Sequence, residues 1–466
     1  MSPPTAKVNK AFPHERSRTM PSASRRDAGS AVRAPPHIDW DGCMSTDELD
    51  PAGIDLSDIN GFWSRPIEYR HAAFDALRAR PGLPFYAEPD FSFGQPGPGY
   101  YALTRLDDIV TASRTPAVYI SGEGAAGAVD FPVELREFYG SMINMDDPRH
   151  GRLRRIVSRG FTPKMLDALT DNVSQVATRI VDEVIESGEC DAVADLAAKL
   201  PLTIICDMMG IPASQHRFVF DTTNVILGTQ DPEYVPDRSN IFQAFLDAGQ
   251  DMANLVRELA KLRAEHPTDD LISKLTNAEI DGESLTPDEL ASFFILLVAA
   301  GNETTRNAIS WGIDLLTKNP EQRTAWLADL DGVTPTAVEE IVRWASPVIF
   351  MRRVLAEPAE LSGQRLEPGD RVLMFYWAAN RDPAHFEHPE RFDVRRSPNP
   401  HIGFGGPGPH FCLGAHLARR EITVMFRELL TRIPDIHATA EPARLSSQFI
   451  NGIKRLPVAF TPGGTM

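Results

Sequence analysis

The chain has 466 residues, 42% of them hydrophobic, and a formal net charge of −17. That length buries a large core, and the acidic balance argues against a nucleic-acid binder. Four scattered cysteines (Cys43, Cys190, Cys206, Cys412) with no C-x-x-C pair argue against a disulfide framework or zinc ribbon and fit a reducing compartment.

Residues 1–36 carry seven Lys/Arg against two Asp/Glu, with repeated Pro and Ser and almost no apolar periodicity. They read as a disordered basic tail, followed by one large domain over 37–466. A transit peptide would need amphipathic periodicity that this segment lacks, and Met20 is an alternative start. No apolar run of 18 residues follows, so no membrane span is expected.

The periodic segments are mostly helical: about 148–159, 165–188, 193–209, 240–264, 335–345 and 415–432. Strand signals are few, at Tyr100–Leu103, Val354–Leu355, Arg371–Phe375 and 456–460. The fold class is therefore mainly α with small β-sheets. The longest element opens with Thr286-Pro287-Asp288-Glu289, a capping-box signature with Pro at the first helical position, and runs to Leu316 before Asn319-Pro320. At 1.5 Å per residue it spans roughly 50 Å, and its apolar middle predicts a path through the protein's centre.

Ala300-Gly301-Asn302-Glu303-Thr304-Thr305 interrupts that apolar run with polar and acidic residues. One reading is a kinked core helix whose Thr hydroxyls bond back to preceding carbonyls. The other is a groove at Gly301, with Glu303 and Thr304 offering an acid and a hydroxyl for proton delivery. His150 and Arg154 stand one turn apart, a fork suited to carboxylates. Glu340 and Arg343 form an i, i+3 pair to which Arg391 could add a second arginine.

Cys412 lies in Phe404-Gly405-Gly406-Pro407-Gly408-Pro409-His410-Phe411-Cys412-Leu413-Gly414, just before a helical run. Backbone amides near a sulfur, and a helix N-terminus beyond it, stabilise a thiolate. Taken alone, the loop admits a thiolate metal ligand, a buried cysteine in an ordinary turn, or a cysteine hydrolase with His416 as base.

Taken in order, these motifs resemble the cytochrome P-450 family of heme-thiolate monooxygenases over residues 40–465. The resemblance implies a heme b between the long central helix and the cysteine loop, with Cys412 as its iron ligand. It implies that His150, Arg154, Arg353 and His410 hold the propionates and that Phe404, Gly408 and Gly414 shape the loop. Glu340, Arg343 and Arg391 become a structural charge network, while Ala300, Gly301, Glu303 and Thr304 form the oxygen-side groove. The family usually has an aromatic seven residues before the cysteine; here that place is Gly405 and Phe404 lies eight before. The lengthened loop, with Ala300–Ala308, Val338–Arg353 and Gln448–Pro457, resembles the actinobacterial branch that oxidises methyl-branched lipids and sterol side chains.

The resemblance implies O2 as co-substrate and a cytoplasmic enzyme. Only 54 residues follow Cys412, too few for a flavin or iron–sulfur domain. Electrons are therefore expected from NAD(P)H through an external reductase and ferredoxin. The basic run Arg149, Arg152, Arg154, Arg155, Arg159 and Lys164, with Arg419 and Arg420, is the expected docking surface. Phe293, Phe294, Leu297, Val298, Val348, Ile349, Phe350, Phe449 and Ile450 are the expected pocket wall, and 213–240 the expected mobile lid. An apolar wall suits terminal hydroxylation of a methyl-branched or isoprenoid lipid or a sterol side chain. The alternatives are a terpene or polyketide tailoring hydroxylase and a peroxide-driven or non-hydroxylating heme-thiolate enzyme.

Overall fold

The computed structural model describes residues 53–89, 97–158, 161, 170–277 and 284–463. The expected tail 1–36, and Arg159 and Lys164 of the basic run, lie outside them. The central helix, Pro287–Lys318, forms as its sequence dictates: the Thr286 hydroxyl accepts from the Glu289 amide, and the Glu289 carboxylate accepts from the Thr286 amide. It ends at Asn319, whose amide bonds to the Leu315 carbonyl, and Pro320 opens the next helix. Arg149–Ser158, Lys199–Met209, His216–Leu227, Ile241–Glu265, Leu330–Ala345 and Ala415–Arg432 are further major helices.

Most of the buried apolar side chains form one large core built around the central helix, including Phe293, Phe294, Trp311, Ile341 and Phe426. A five-stranded sheet stands beside it, in the order Phe85–Tyr86, Tyr100–Leu103, Arg371–Phe375, Phe350–Leu355, Tyr119–Ile120. Tyr100–Leu103 runs parallel to Arg371–Phe375, and the other pairings are antiparallel. Side chains alternate along Phe350–Leu355, so Met351 and Arg353 face one side while Phe350 and Arg352 face the other.

Segment 213–240, the expected lid, holds the helix His216–Leu227, with a 3-10 turn directly before it at Ala213–Gln215 and another at Arg238–Asn240. It is tied down at Asp231, fully buried, whose carboxylate meets Lys454 Nζ at 2.9 Å and accepts from the Ser446 amide.

Candidate heme-thiolate active site

Cys412 sits where the loop 401–414 meets the helix Ala415–Arg432, with Gly414 as the N-cap. Its amide donates to the Phe404 carbonyl at 3.0 Å, closing the loop. Gly405 holds φ +88°, a left-handed conformation that absorbs the extra residue. Gly408 is required for a different reason: a Cβ there would lie 2.3 Å from the Ser113 carbonyl oxygen. The thiol opens on an interior cavity of about 220 Å³. Burial raises its pKa, against a backbone hydrogen bond from Gly414 and the charges of Arg154 and Arg419. Phe404 also lines the cavity, and the Arg419 guanidinium lies 4.2 Å over its ring. Phe411, next to Cys412 in the same loop, lines the cavity as well.

Four expected donors meet on the rim of that cavity: His150, Arg154, Arg353 and His410. The His150 and His410 rings are 4.2 Å apart, His410 Nε2 lies 3.1 Å from Ser121 Oγ, and Arg154 donates to the Phe411 carbonyl at 2.6 Å. His150 Nε2 is buried with no partner. Burial, then the charges of Arg353, His150 and Arg154, push His410 down to about 2. Burial and Arg154 likewise lower His150. A rim crowded with cations and an orphaned imidazole nitrogen suits a group bearing carboxylates, as the heme propionates are. The donor set therefore fits heme, whose iron Cys412 would hold.

The central helix supplies the opposite wall through Phe293, Leu296, Leu297, Ala300, Gly301, Thr304, Thr305 and Ala308, an i, i+3, i+4 pattern. A Cβ at Gly301 would reach only ordinary contact with Ile205, 3.5 Å away, so packing alone does not require glycine there. The Thr304 hydroxyl donates back to the Ala300 carbonyl at 2.6 Å, as the first reading of this helix anticipated, yet the residue faces the cavity.

Glu303 is not part of the cavity wall. It is buried, ion-paired with Arg306, and accepts from Asn307 Nδ2 at 3.0 Å. Arg306 also donates to Asn224 on His216–Leu227 at 3.0 Å, so the acid is tied to that helix.

Of the expected pocket wall, Phe293, Leu297 and Val348 line the cavity and the other residues do not. Phe294 and Val298 each follow a lining residue by about 100° of helix and turn into the main core. Ile349 and Phe350 pack in a second apolar cluster, with Phe449 against it, and Ile450 is buried away from the cavity. Ile143, Pro201, Ile205, Leu296 and Met351 take their places. The charge network also changes membership. Glu340 and Arg343 are fully buried and bidentate, at 2.7 and 2.8 Å. The additional arginine is Arg396, whose Nε lies 3.1 and 3.2 Å from the Glu340 oxygens. Arg391 is exposed and contributes only its carbonyl, to Arg343 and Arg396. His416 is exposed and outside the cavity wall, which removes the support for a cysteine hydrolase.

A further residue was not anticipated. Glu421, on Ala415–Arg432, is buried and lines the cavity. Burial raises its pKa to about 8 against a hydrogen bond with Thr305.

A profile of the family described as Cytochrome P450 matches residues 130–434. The chain belongs to the cytochrome P450 family. This P450 is 49% identical over 417 residues to a methyl-branched lipid omega-hydroxylase of Mycobacterium tuberculosis, covering 89% of this chain and 96% of that protein. It is 39% identical to a steroid C26-monooxygenase of Rhodococcus jostii, with 88% and 85% covered. A solved cytochrome P450 of Mycobacterium marinum in complex with pseudoionone superposes with a TM-score of 0.82 at 41% identity, covering 85% of this chain and 96% of that one. The P450 is thus a heme-thiolate monooxygenase of a family that uses O2 and, in general, redox partners, and among the described residues no helix is long and apolar enough to cross a membrane.

Proposed function

We propose that this P450 hydroxylates a hydrophobic chain at or near its branched end: a methyl-branched or isoprenoid lipid, or a sterol side chain. In this reading the electrons pass from NAD(P)H through a reductase and a ferredoxin, and the enzyme works in the cytoplasm. The observation that carries it is the cavity wall opposite Cys412. Ile143, Pro201, Ile205, Phe293, Leu296, Leu297, Val348 and Met351 line it, and the charged lining residues are confined to the propionate rim and to Glu421. Such a wall grips alkyl surface and offers nothing to a sugar or a charged heterocycle. The names of the two similar enzymes point the same way.

When bound, heme supplies the activation of O2 by which one oxygen atom enters a C–H bond, aided by electron donation from a thiolate ligand. The chain's own residues do the rest. His150, Arg154, Arg353 and His410 orient the group through its carboxylates. Gly301 keeps a groove beside it, and the apolar wall excludes water and presents one carbon. Thr304 holds its proton on the Ala300 carbonyl and can accept another hydrogen bond from the cavity. A proton from Glu303 reaches Thr304 only when the carboxylate is loosened from Arg306, so the acid is held in reserve.

The test is a titration of the heme-loaded enzyme with phytanic acid, farnesol, a 3-keto sterol and a macrolide, read by the shift of the Soret band towards high spin. Branched chains and the sterol should shift it, with the terminal alcohol as product. Tight binding of the macrolide with no response to any branched chain would overturn the substrate reading and favour a tailoring hydroxylase.

A further inference from the structure

Outside the lining of the heme cavity, the first helix, Ile67–Ala79, brings Arg70 and His71 against Trp377, and His71 also against Trp344 at the end of Leu330–Ala345. Arg381 stacks on both indoles, its guanidinium carbon 4.7 Å from the Trp344 ring centre and 4.1 Å from that of Trp377. Arg70 lies 5.7 Å over Trp377 from another direction, and the His71 ring is 4.7 Å from it. Arg444 adds a third cation beside Arg70.

The charges here do not balance. Among the described residues no carboxylate lies within ion-pair distance of Arg70, Arg381 or Arg444. The nearby Arg78 is taken by Asp75 and Asp382, and Arg343 by Glu340, while Glu68 and Glu441 act on the cluster only at longer range. Burial, then Arg444, push Arg70 down to about 9. Arg70 and Arg381 are only 3% and 4% exposed.

The hydrogen bonds do not balance either. Arg70 Nε, Arg381 Nε, Trp344 Nε1, Trp377 Nε1 and Arg444 Nη1 are buried N–H groups with no acceptor. The carbonyls within reach are already used. Those of Trp344 and Trp377 accept from Arg381 at 2.5 and 3.1 Å, and those of Ser64 and Arg65 accept from Arg444 at 3.0 and 2.9 Å. A buried water donates as well as accepts, and among these groups only His71 Nε2, itself buried without a partner, could take one of its protons. Uncompensated buried cations and orphaned donors around one indole call for an acceptor that carries negative charge.

We propose that this cluster around Trp377 is a binding site for a small monovalent anion, chloride. The ion accepts from the indole and guanidinium N–H groups and fastens the first helix to the end of Leu330–Ala345. A halide suits the lining because it is spherical and accepts from donors in many directions.

The experiment compares melting of the full-length, heme-loaded enzyme in sodium chloride, sodium bromide and sodium gluconate at equal ionic strength. Chloride and bromide should raise the midpoint by about 2 °C over gluconate, as expected for a ligand held by the folded state alone. Crystals grown in bromide should show an anomalous peak in hydrogen-bonding range of Trp377 Nε1. Trp377→Phe, which keeps the ring and removes the donor, should lose most of the halide shift, and Arg70→Met should lose it as well. Arg217→Met, an exposed arginine elsewhere, should keep it. If Arg70→Met does not fold, Trp377→Phe and the bromide map still decide. Equal midpoints in the three salts, or a bromide map with no peak at the cluster, would overturn the site.

Discussion

Glu421 shows what a single residue hides in a sequence. It follows Arg419 and Arg420 and reads as one more charge on an amphipathic helix, whereas Cys412 is marked by its glycine-rich loop, and His150 and Arg154 by the family resemblance. Its role appears only when Ala415–Arg432 packs on the central helix and encloses the carboxyl beside Thr305. The consequence is a pH dependence with a definite sign. Its folded pKa of about 8 lies above the ordinary 4.5, so the folded protein holds the proton more tightly. Stability from this group is fully present below about 4.5 and is lost as pH rises through about 8. Glu421→Gln should remove that loss. Between pH 5 and 8 the parent's unfolding free energy should fall relative to the variant's, by at most about 1.4 kcal/mol per pH unit. Parallel stability–pH curves for the two proteins would show that Glu421 is ionised in the fold. The same contrast explains the arginine assignment: Arg391 and Arg396 lie on one short stretch, and only the folded chain shows which of them reaches Glu340.

At the scale of elements, caps explain only part of what was legible: Lys199–Met209, Ile241–Glu265 and Ala415–Arg432 lack a side-chain cap, and their apolar periodicity marked them in the sequence. The central helix was readable because Thr286 and Glu289 close a box around its first turn. Ile67–Ala79, Leu106–Arg114 and Val133–Gly140 have no side-chain cap and were not anticipated; tertiary packing holds them. Pro335 misled in the opposite way. It marked an expected start, yet Asp329 caps six residues earlier, accepting from the Gly332 amide at 3.0 Å, and the proline lies inside Leu330–Ala345. That helix positions Glu340, which accepts from Arg343, Arg396, Asn399 and the Asp393 amide. The network ties the helix to residues 389–399, on the approach to the cysteine loop. Arg396→Ala should cost about 3 kcal/mol, because it leaves a buried carboxylate short of a partner. Arg391→Ala, at an exposed side chain, should stay within about 0.5 kcal/mol. Denaturant unfolding and heme content of the two variants check this, and equal losses would sink the reassignment.

The whole molecule sets an electrostatic problem that no local motif states. A basic docking surface implies an acidic ferredoxin, and this chain itself carries −17. Like charges of that size repel, so productive docking needs a focused basic surface near the cysteine loop. The fold brings Arg149–Ser158 to that loop through the Arg154 bond to Phe411, and Ala415–Arg432 begins there. Several of the expected docking cations are engaged inside the protein: Arg149 with Glu137, Arg152 with Glu289, Arg419 with Glu339 and Arg420 with Thr170. Arg155 is exposed on the same helix as Arg154, so a charge reversal there tests this surface. Reduction by an acidic two-iron ferredoxin should slow roughly tenfold from low to high salt, because a screened patch no longer outweighs the overall repulsion. Arg155→Glu should slow it at low salt, and the two proteins should converge at high salt. Arg217→Glu, the same charge change on His216–Leu227, should have little effect. Stopped-flow formation of the carbon monoxide complex measures these rates. A salt-independent rate, or equal slowing by both reversals, would mean that net charge governs the encounter and that the face around the cysteine loop has no special part in it.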